Sequence, residues 1–421
     1  MFALADCNNF FVSCERVFRP DLARRAVVVL SNNDGCVVSR SNEAKQLGIK
    51  MGEPLFRIRH LVDSGEVVAF SGNMELYGDM SRRVRSVLEE CAPAIEVYSI
   101  DEAFLDLRGV EGVDFDAFAK NLSARCYKLT SMPISVGVAP TKTLAKIASK
   151  LCKSYPKLCG GCYMHRPQDI EKVLRKFPIE DVWGIGRRTT AKLQRRGVKT
   201  AYDFTQMDED VVLALFGVTG HRTWRELRGE ACIEFEDFAE PRQSVTVSRS
   251  FAKEIYDRGE LCEQIANFAS SVAAKLRKQH SVASEFTIFA ATNRFREGEI
   301  QGVDSMVVSL ADATAEERVV VNRSVRAMAE IFRSGRGYKK AGVTATKIVG
   351  EGDVVHSLFE DSEAVERERK ITQAMDSINS SFGRGTIRLA VQGSGDIKSL
   401  QSRRSPRYTT LWSEIPKVYI K

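Results

Sequence analysis

The sequence predicts an α+β protein of several domains, and three observations carry that expectation. Its 421 residues exceed what a single hydrophobic core of ordinary size organises. Two apolar strand-like runs, residues 2–6 and 97–107, each lead into acidic residues, and helical periodicities separate them. Further along, residues 245–348 read strand, helix, strand, strand, helix, strand, the β-α-β-β-α-β pattern of a compact sheet with helices on one side.

The run VYSIDEAFLDL places Asp101 and Glu102 side by side between apolar residues. Successive strand side chains point to opposite faces, so both acids serve one site only where the backbone bends, as at a hairpin tip. Solvent-facing acids on a hairpin are the plain alternative. Asp6 ends the apolar run FALAD with the same local design. Adjacent strands would gather three carboxylates, which repel unless divalent cations lie between them. Two such ions about 3.5–4 Å apart form the clamp used in phosphoryl transfer.

Charged residues make up 28% of the chain and the formal net charge is +7, a mild excess compatible with a nucleic-acid partner. No apolar stretch is long enough to span a bilayer, so no membrane partner is expected. The N-terminus has no basic region of a signal peptide, and ten cysteines without an even framework point to a reducing cytoplasm. Cys152, Cys159, Cys162 and His165 have metal-like spacing in one half only, and Gly160-Gly161 reads better as a turn.

In chain order, residues 10–19 are helical up to Pro20, residues 26–30 a buried strand, and residues 36–38 its return after an Asn-Asp-Gly turn. Residues 41–48 form a short helix capped by Ser41 or Asn42, and residues 81–91 a longer one. After the acid hairpin come a helix (115–130), a strand (134–138) and a lysine-bearing helix (144–153). Gly137 with Lys142-Thr143 resembles an incomplete P-loop; it lacks the second glycine and is rejected as a nucleotide motif. In Trp183-Gly184-Ile185-Gly186-Arg187-Arg188, glycines followed by a basic helix form a helix-hairpin-helix pattern, which grips a DNA backbone without reading sequence. Residues 234–240 are an acidic linker. The tail adds a helix (366–381) and a strand (386–391).

YSIDEAFLDL, DCNNFF, SVGVAPTKTLAKIASK and WGIGRRT together resemble the Y family of translesion DNA polymerases. SRSF, MDSINSSFGRGTIRLAVQG and SPRYTTLWSEIP are similar to the UmuC-type catalytic subunits of bacterial DNA polymerase V and their plasmid-borne relatives, so the resemblance spans essentially the whole chain. It implies a right hand: palm at 1–19 and 78–166, fingers at 20–77, thumb with helix-hairpin-helix at 167–234, linker at 235–241, little finger at 242–349 and a partner-binding region at 350–421. It implies Asp6, Asp101 and Glu102 as catalytic metal ligands with the Cys7 backbone carbonyl, two Mg²⁺ ions, and dNTP substrates. Phe10 and Phe11 would meet the nucleotide, Phe11 as the steric gate against a ribose 2′-OH, and Ser39, Lys45 and Lys153 would hold the triphosphate. Lys45 replaces an arginine common in the family, exchanging a bidentate fork for a point charge. Gly184, Gly186, Arg187, Arg188 and Arg249 would contact primer-template DNA. Leu358 and Phe359 end a sliding-clamp peptide that lacks the family's glutamine, and a UmuD′-type dimer and RecA would be partners.

The expected activity is error-prone synthesis past DNA damage in the SOS response. A non-catalytic DNA-binding protein on the same fold is the alternative, and it predicts loss of at least one of the three acids, all of which are present. A nucleotide cyclase on a similar palm would need neither the glycine hairpin nor the second basic module.

Overall fold

The computed structural model describes the chain except residues 237–240, 297, 299, 354–361, 384, 394–399 and 417–421, and the side chains of 362–365. Most of the expected linker, and Leu358 and Phe359, lie outside the described residues. Two compact units emerge, Met1–Ala239 with Gln401–Lys421, and Glu240–Leu400.

In the first unit, β1 (Phe2–Cys7) is apolar up to Asp6, and Asn9 in the left-handed region turns the chain into α1 (Phe10–Phe18). β2 (Ala26–Leu30) is buried throughout and pairs antiparallel with β3 (Val37–Arg40). The Ser41 side chain caps α2 (Asn42–Gln46); α3 (Leu55–Asp63) then leads to β4 (Val67–Ser71), which runs parallel to β2. α4 (Met74–Glu89) starts earlier than the periodicity alone indicated. Asn73 caps it by accepting from the Leu76 N–H, and Leu76, Tyr77 and Met80 extend its buried face forward of residue 81.

β5 (Ala94–Val97) and β6 (Glu102–Asp106) form the hairpin that carries the acids. α5 (Phe115–Thr130), β7 (Ile134–Ala139), α6 (Lys142–Ser154) and β8 (Gly161–Tyr163) follow. The five-stranded sheet has the order β5-β6-β1-β7-β8, which puts β1 at its centre. A Cβ on Gly137 would lie 2.2 Å from the Ser149 nitrogen and 2.3 Å from the Ala145 carbonyl oxygen. That glycine therefore lets α6 lie close on β7, and no phosphate role is needed to explain it. Lys142 is buried, paired with Glu96 and donating to the Glu234 carbonyl.

Four helices complete this unit: α7 (Pro167–Leu174), α8 (Arg187–Gln194), α9 (Ala201–Thr205) and α10 (Glu209–Leu227), the last kinked at Gly217. Their apolar faces share one core with Leu144, Ile147 and Ala148 of α6. Thr143, in the first turn of α6, donates its N–H to the buried Glu226 carboxylate of α10.

The second unit contains β9 (Val245–Ile255), α11 (Arg258–Lys278), β10 (Ser281–Thr292), β11 (Val303–Thr314), α12 (Glu317–Ile331), β12 (Tyr338–Gly350) and α13 (Ser362–Phe382). Its antiparallel sheet has the order β11-β10-β12-β9. Phe286, Ile288 and Ala290 alternate inward along β10 and share a core with Leu261, Phe268 and Leu276 of α11. The strand expected at 386–391 does not form; a turn and a short 3₁₀ segment, Ala390–Gln392, stand there. Side chains claim its backbone groups. Asn379 binds both the N–H and the carbonyl of Ile387, and Gln392 accepts from the Leu389 N–H.

All ten cysteines are free thiols. Cys152 is buried against the Val136 and Ala148 carbonyls, Cys159 is exposed, and His165 stacks on Tyr163 with ring centroids 4.0 Å apart.

Candidate active site

The site is set by sheet register. β1 and β6 run antiparallel with Asp6 opposite Glu102, so the two carboxylates occupy facing positions on neighbouring strands. Asp101 sits at the hairpin tip, where the Cys7 N–H donates to its carbonyl at 2.9 Å and ties the tip to β1. The Ser99 hydroxyl donates to Asp101 Oδ1 at 2.6 Å, and its oxygen accepts from the Asp101 and Glu102 N–H groups. This closed turn fixes the backbone that carries the two adjacent acids.

Two lysines of α6 neutralise the pair. Lys153 Nζ lies 2.6 Å from Asp6 Oδ1, and Lys146 Nζ lies 2.9 Å from Glu102 Oε2. Burial pushes the Asp6 pKa up to about 6, against the pull of Lys153, and the neighbouring Glu102 adds to the rise. Among the described residues no three acid, histidine or cysteine side chains converge as a finished metal-ligand set. Asp6 and Glu102 are each turned to an ammonium group instead. The donor set nonetheless suits hard divalent cations: crowded carboxylates on rigid strands, already attracting positive charge.

Beside the acids, the turn from β1 to α1 forms a second cluster. Lys45 Nζ donates to Asn9 Oδ1 at 2.7 Å and to Asn42 Oδ1 at 3.1 Å, and burial lowers its pKa. The buried Ser39 hydroxyl lies 3.4 Å from both the Val12 nitrogen and the Asn9 carbonyl oxygen. Asn9 makes no side-chain capping bond to the start of α1 and no acid stands in the first turn, so the Ser39 hydroxyl is the side-chain acceptor that meets a first-turn N–H group, that of Val12. The Phe11 ring stacks on Tyr77, with centroids 4.7 Å apart. Phe10 is buried in the core, so its ring is not available to a nucleotide and only its backbone is. Cys7 is also buried, with its thiol pushed well above the usual range by burial.

In the helical part, Gly184 adopts a φ of +86°, and a Cβ there would meet Thr223 Oγ1 at 2.8 Å. Gly186 stands at the N-cap of α8 without a side-chain hydrogen bond, followed by exposed Arg187 and Arg188 and no acid in the first turn. Arg249 is exposed on β9 of the second unit.

Several residues of this site escape sequence reasoning. Lys146 sits among aromatic rings, 4.3 Å from the Tyr98 centroid and 5.3 Å from that of Trp183. The Trp183 indole N–H donates to the Tyr98 hydroxyl at 3.0 Å, linking the glycine hairpin to the acid hairpin. Lys146 and Lys153 are two helical turns apart on one face of α6, and that spacing was the available signal. Nothing in the sequence marked Tyr98 and Trp183 as partners.

The first unit thus sets strand-borne acids against a lysine helix, next to a glycine-hairpin helical part. Solved structures share the fold. A Y-family chimera of Dbh and Dpo4 matches with a TM-score of 0.67 at 21% identity, covering 83% of this chain and all of the other. An insertion ternary complex of Dbh DNA polymerase matches with a TM-score of 0.53 at 20% identity over the same shares. Residues 5–150 match the impB/mucB/samB family, 242–358 its C-terminal domain, 167–198 the IMS family HHH motif, and 369–418 a domain of unknown function, DUF4113. Protein UmuC of Salmonella typhimurium is 41% identical over 99% of this chain and all of its own length; protein SamB, from the same organism, is 40% identical over 99% of each. DNA polymerase IV of Desulfatibacillum aliphaticivorans is 27% identical over 91% of this chain. The chain belongs to the impB/mucB/samB family, the UmuC-type branch of the Y-family DNA polymerases.

Proposed function

We propose that this polymerase carries out error-prone synthesis past DNA damage in the SOS response, adding deoxynucleotides to a primer 3′-OH with Mg²⁺ as the metal. The observation that carries the reading is the register of Asp6 opposite Glu102, with Asp101 held at the hairpin tip beside them. Asp6, Asp101 and Glu102, with the Cys7 backbone carbonyl, would hold two ions. Bound there, such ions would supply Lewis-acid activation of the primer hydroxyl and charge stabilisation for the leaving pyrophosphate.

The chain's own residues do the rest. Strands β1 and β6 keep the carboxylates in fixed relation, so little is lost to reorganisation. Lys153 and Lys45 border the site, and with Ser39 and the acid-free first turn of α1 they make a cradle for a triphosphate. Phe11, backed by Tyr77, stands as the steric gate under the sugar; Phe10 contributes backbone alone. Gly184, Gly186, Arg187 and Arg188 would grip the template-primer backbone without reading sequence, with Arg249 adding a contact from the second unit.

The right-hand assignment follows the same reading: palm at 1–19 and 78–166, fingers at 20–77, thumb at 167–234, little finger at 242–349 and partner-binding region at 350–421. Among the described residues no helix is long and apolar enough to cross a membrane, and the free thiols favour the cytoplasm. A UmuD′-type dimer, RecA and, through Leu358 and Phe359, a weak clamp contact remain the proposed partners, on family likeness.

Primer extension past an abasic template site, with Mg²⁺, tests the reading. The chain is assayed alone, with a UmuD′-type dimer and activated RecA, and as the Asp101→Ala/Glu102→Ala double variant. Extension that disappears in the double variant while primer-template binding persists supports it. A double variant that extends as well as the wild type removes the carboxylates from catalysis.

A further inference from the structure

The tail segment 403–408, inside the matched domain of unknown function, folds back onto the first unit behind the candidate steric gate. The Ser71 N–H donates to the Arg403 carbonyl at 3.1 Å, and the Arg403 N–H donates to Ser71 Oγ at 3.0 Å. Asn73, the N-cap of α4, donates to Ser405 O and Oγ and to Pro406 O, all within 3.1 Å. Tyr408 stacks on Phe18 of α1 with centroids 4.6 Å apart. A short strap thus spans the end of β4, the start of α4 and the end of α1.

At its centre is a buried carboxylate. Glu15 has 0% exposure, and its Oε1 accepts from the Ser405 hydroxyl at 2.9 Å and from the Tyr77 hydroxyl at 2.6 Å. Its Oε2 has no hydrogen-bond partner among the described residues. Glu15 lies one helical turn beyond Phe11 on α1, and Tyr77, also fully buried, is the ring on which Phe11 stacks. A continuous chain of contacts therefore runs from Ser405 through Glu15 and Tyr77 to the gate. Without Ser405 this buried carboxylate keeps only the Tyr77 hydroxyl as a donor among the described residues, so the strain of its under-satisfied charge falls on Tyr77.

We propose that the 403–408 strap is a positioning element for the Phe11 ring, acting through Ser405, Glu15 and Tyr77, and so sets discrimination between deoxy- and ribonucleotides. This rests on Phe11 being the steric gate. Among the described residues the strap makes no hydrogen bond to Asp6, Asp101 or Glu102; Ser405 is a positioning residue.

The test is single-nucleotide insertion by the full chain with Mg²⁺ and whatever partners it requires. The ratio of kcat/KM for a deoxynucleotide to that for the matching ribonucleotide is read alongside the melting temperature. Phe11→Ala checks the gate itself, and an unchanged ratio there overturns the gate reading before the strap is considered. Given a working gate, Ser405→Ala is expected to lower the ratio about tenfold, on the scale of one charge-assisted hydrogen bond. Ser405→Thr, which keeps the hydroxyl, should restore it. A Ser405→Ala protein that melts lower but keeps the wild-type ratio makes the strap merely structural and overturns the proposal. Tyr77→Phe keeps the stacked ring and breaks the same chain nearer the gate. It is read the same way should Ser405→Ala not fold, and a wild-type ratio there is equally fatal.

Discussion

A carboxylate placed opposite another on paired strands does not keep its charge unaided, and the lysines facing Asp6 and Glu102 show how the chain answers that. Glu15 is a different case, because among the described residues no cation forms an ion pair with it, and of the charges around it only the more distant Arg19 opposes the effect of burial. Burial raises its pKa above the usual carboxylate range even though Tyr77 and Ser405 donate to it. The folded state thus binds this proton more tightly than the unfolded one. Its contribution to stability is present at low pH and lost as pH rises from the unfolded value through the raised folded one. Glu15→Gln removes that loss while keeping an acceptor for both hydroxyls. Its melting temperature relative to the wild type should rise as the pH climbs out of the ordinary carboxylate range, and a difference that stays flat with pH would contradict the upward shift. At this scale the acids were legible because each interrupts an apolar run. Lys146, Tyr98, Tyr77 and Glu15 were not, since their significance lies in partners far away along the chain.

Among elements, α8 shows how local sequence decides local structure. Gly184 supplies a left-handed residue where a Cβ would strike Thr223, and Gly186 leaves the helix N-terminus uncovered ahead of Arg187 and Arg188. Arg187→Ala/Arg188→Ala should weaken primer-template binding equally for unrelated sequences. It should also make the salt dependence of log K shallower by up to about 1.8, two phosphate contacts' worth. A sequence-dependent loss or an unchanged slope would place DNA elsewhere. Most helices and strands followed from periodicity, yet α4 began at its Asn73 cap rather than where its clearest apolar repeat starts. The missing strand at 386–391 failed for a related reason. Its alternation is real, but Asn379 and Gln392 occupy the backbone groups a sheet neighbour would need.

Over the whole molecule, the two units each have a core of their own, one around β1 and one around β10. Phe286→Ala, at a 1%-exposed position in the second core, should cost about 3–5 kcal/mol there. In calorimetry one transition should fall while Mg²⁺-dependent stabilisation by a dNTP, which on the proposed reading reports on the first unit, stays as in the wild type. Loss of both together would mean that the units unfold as one. The sequence by itself determined most of the elements, the three acids and the glycine-hairpin helix, because period, caps and turn residues act over a few neighbours. Only the tertiary structure decided which lysine answers which acid, that a caged Lys146 joins two hairpins, and that residues 403–408 return to support α1 and α4. Those contacts join positions up to 390 residues apart. No local pattern encodes such a pairing, because it exists only once sheet register and helix packing have brought the partners together.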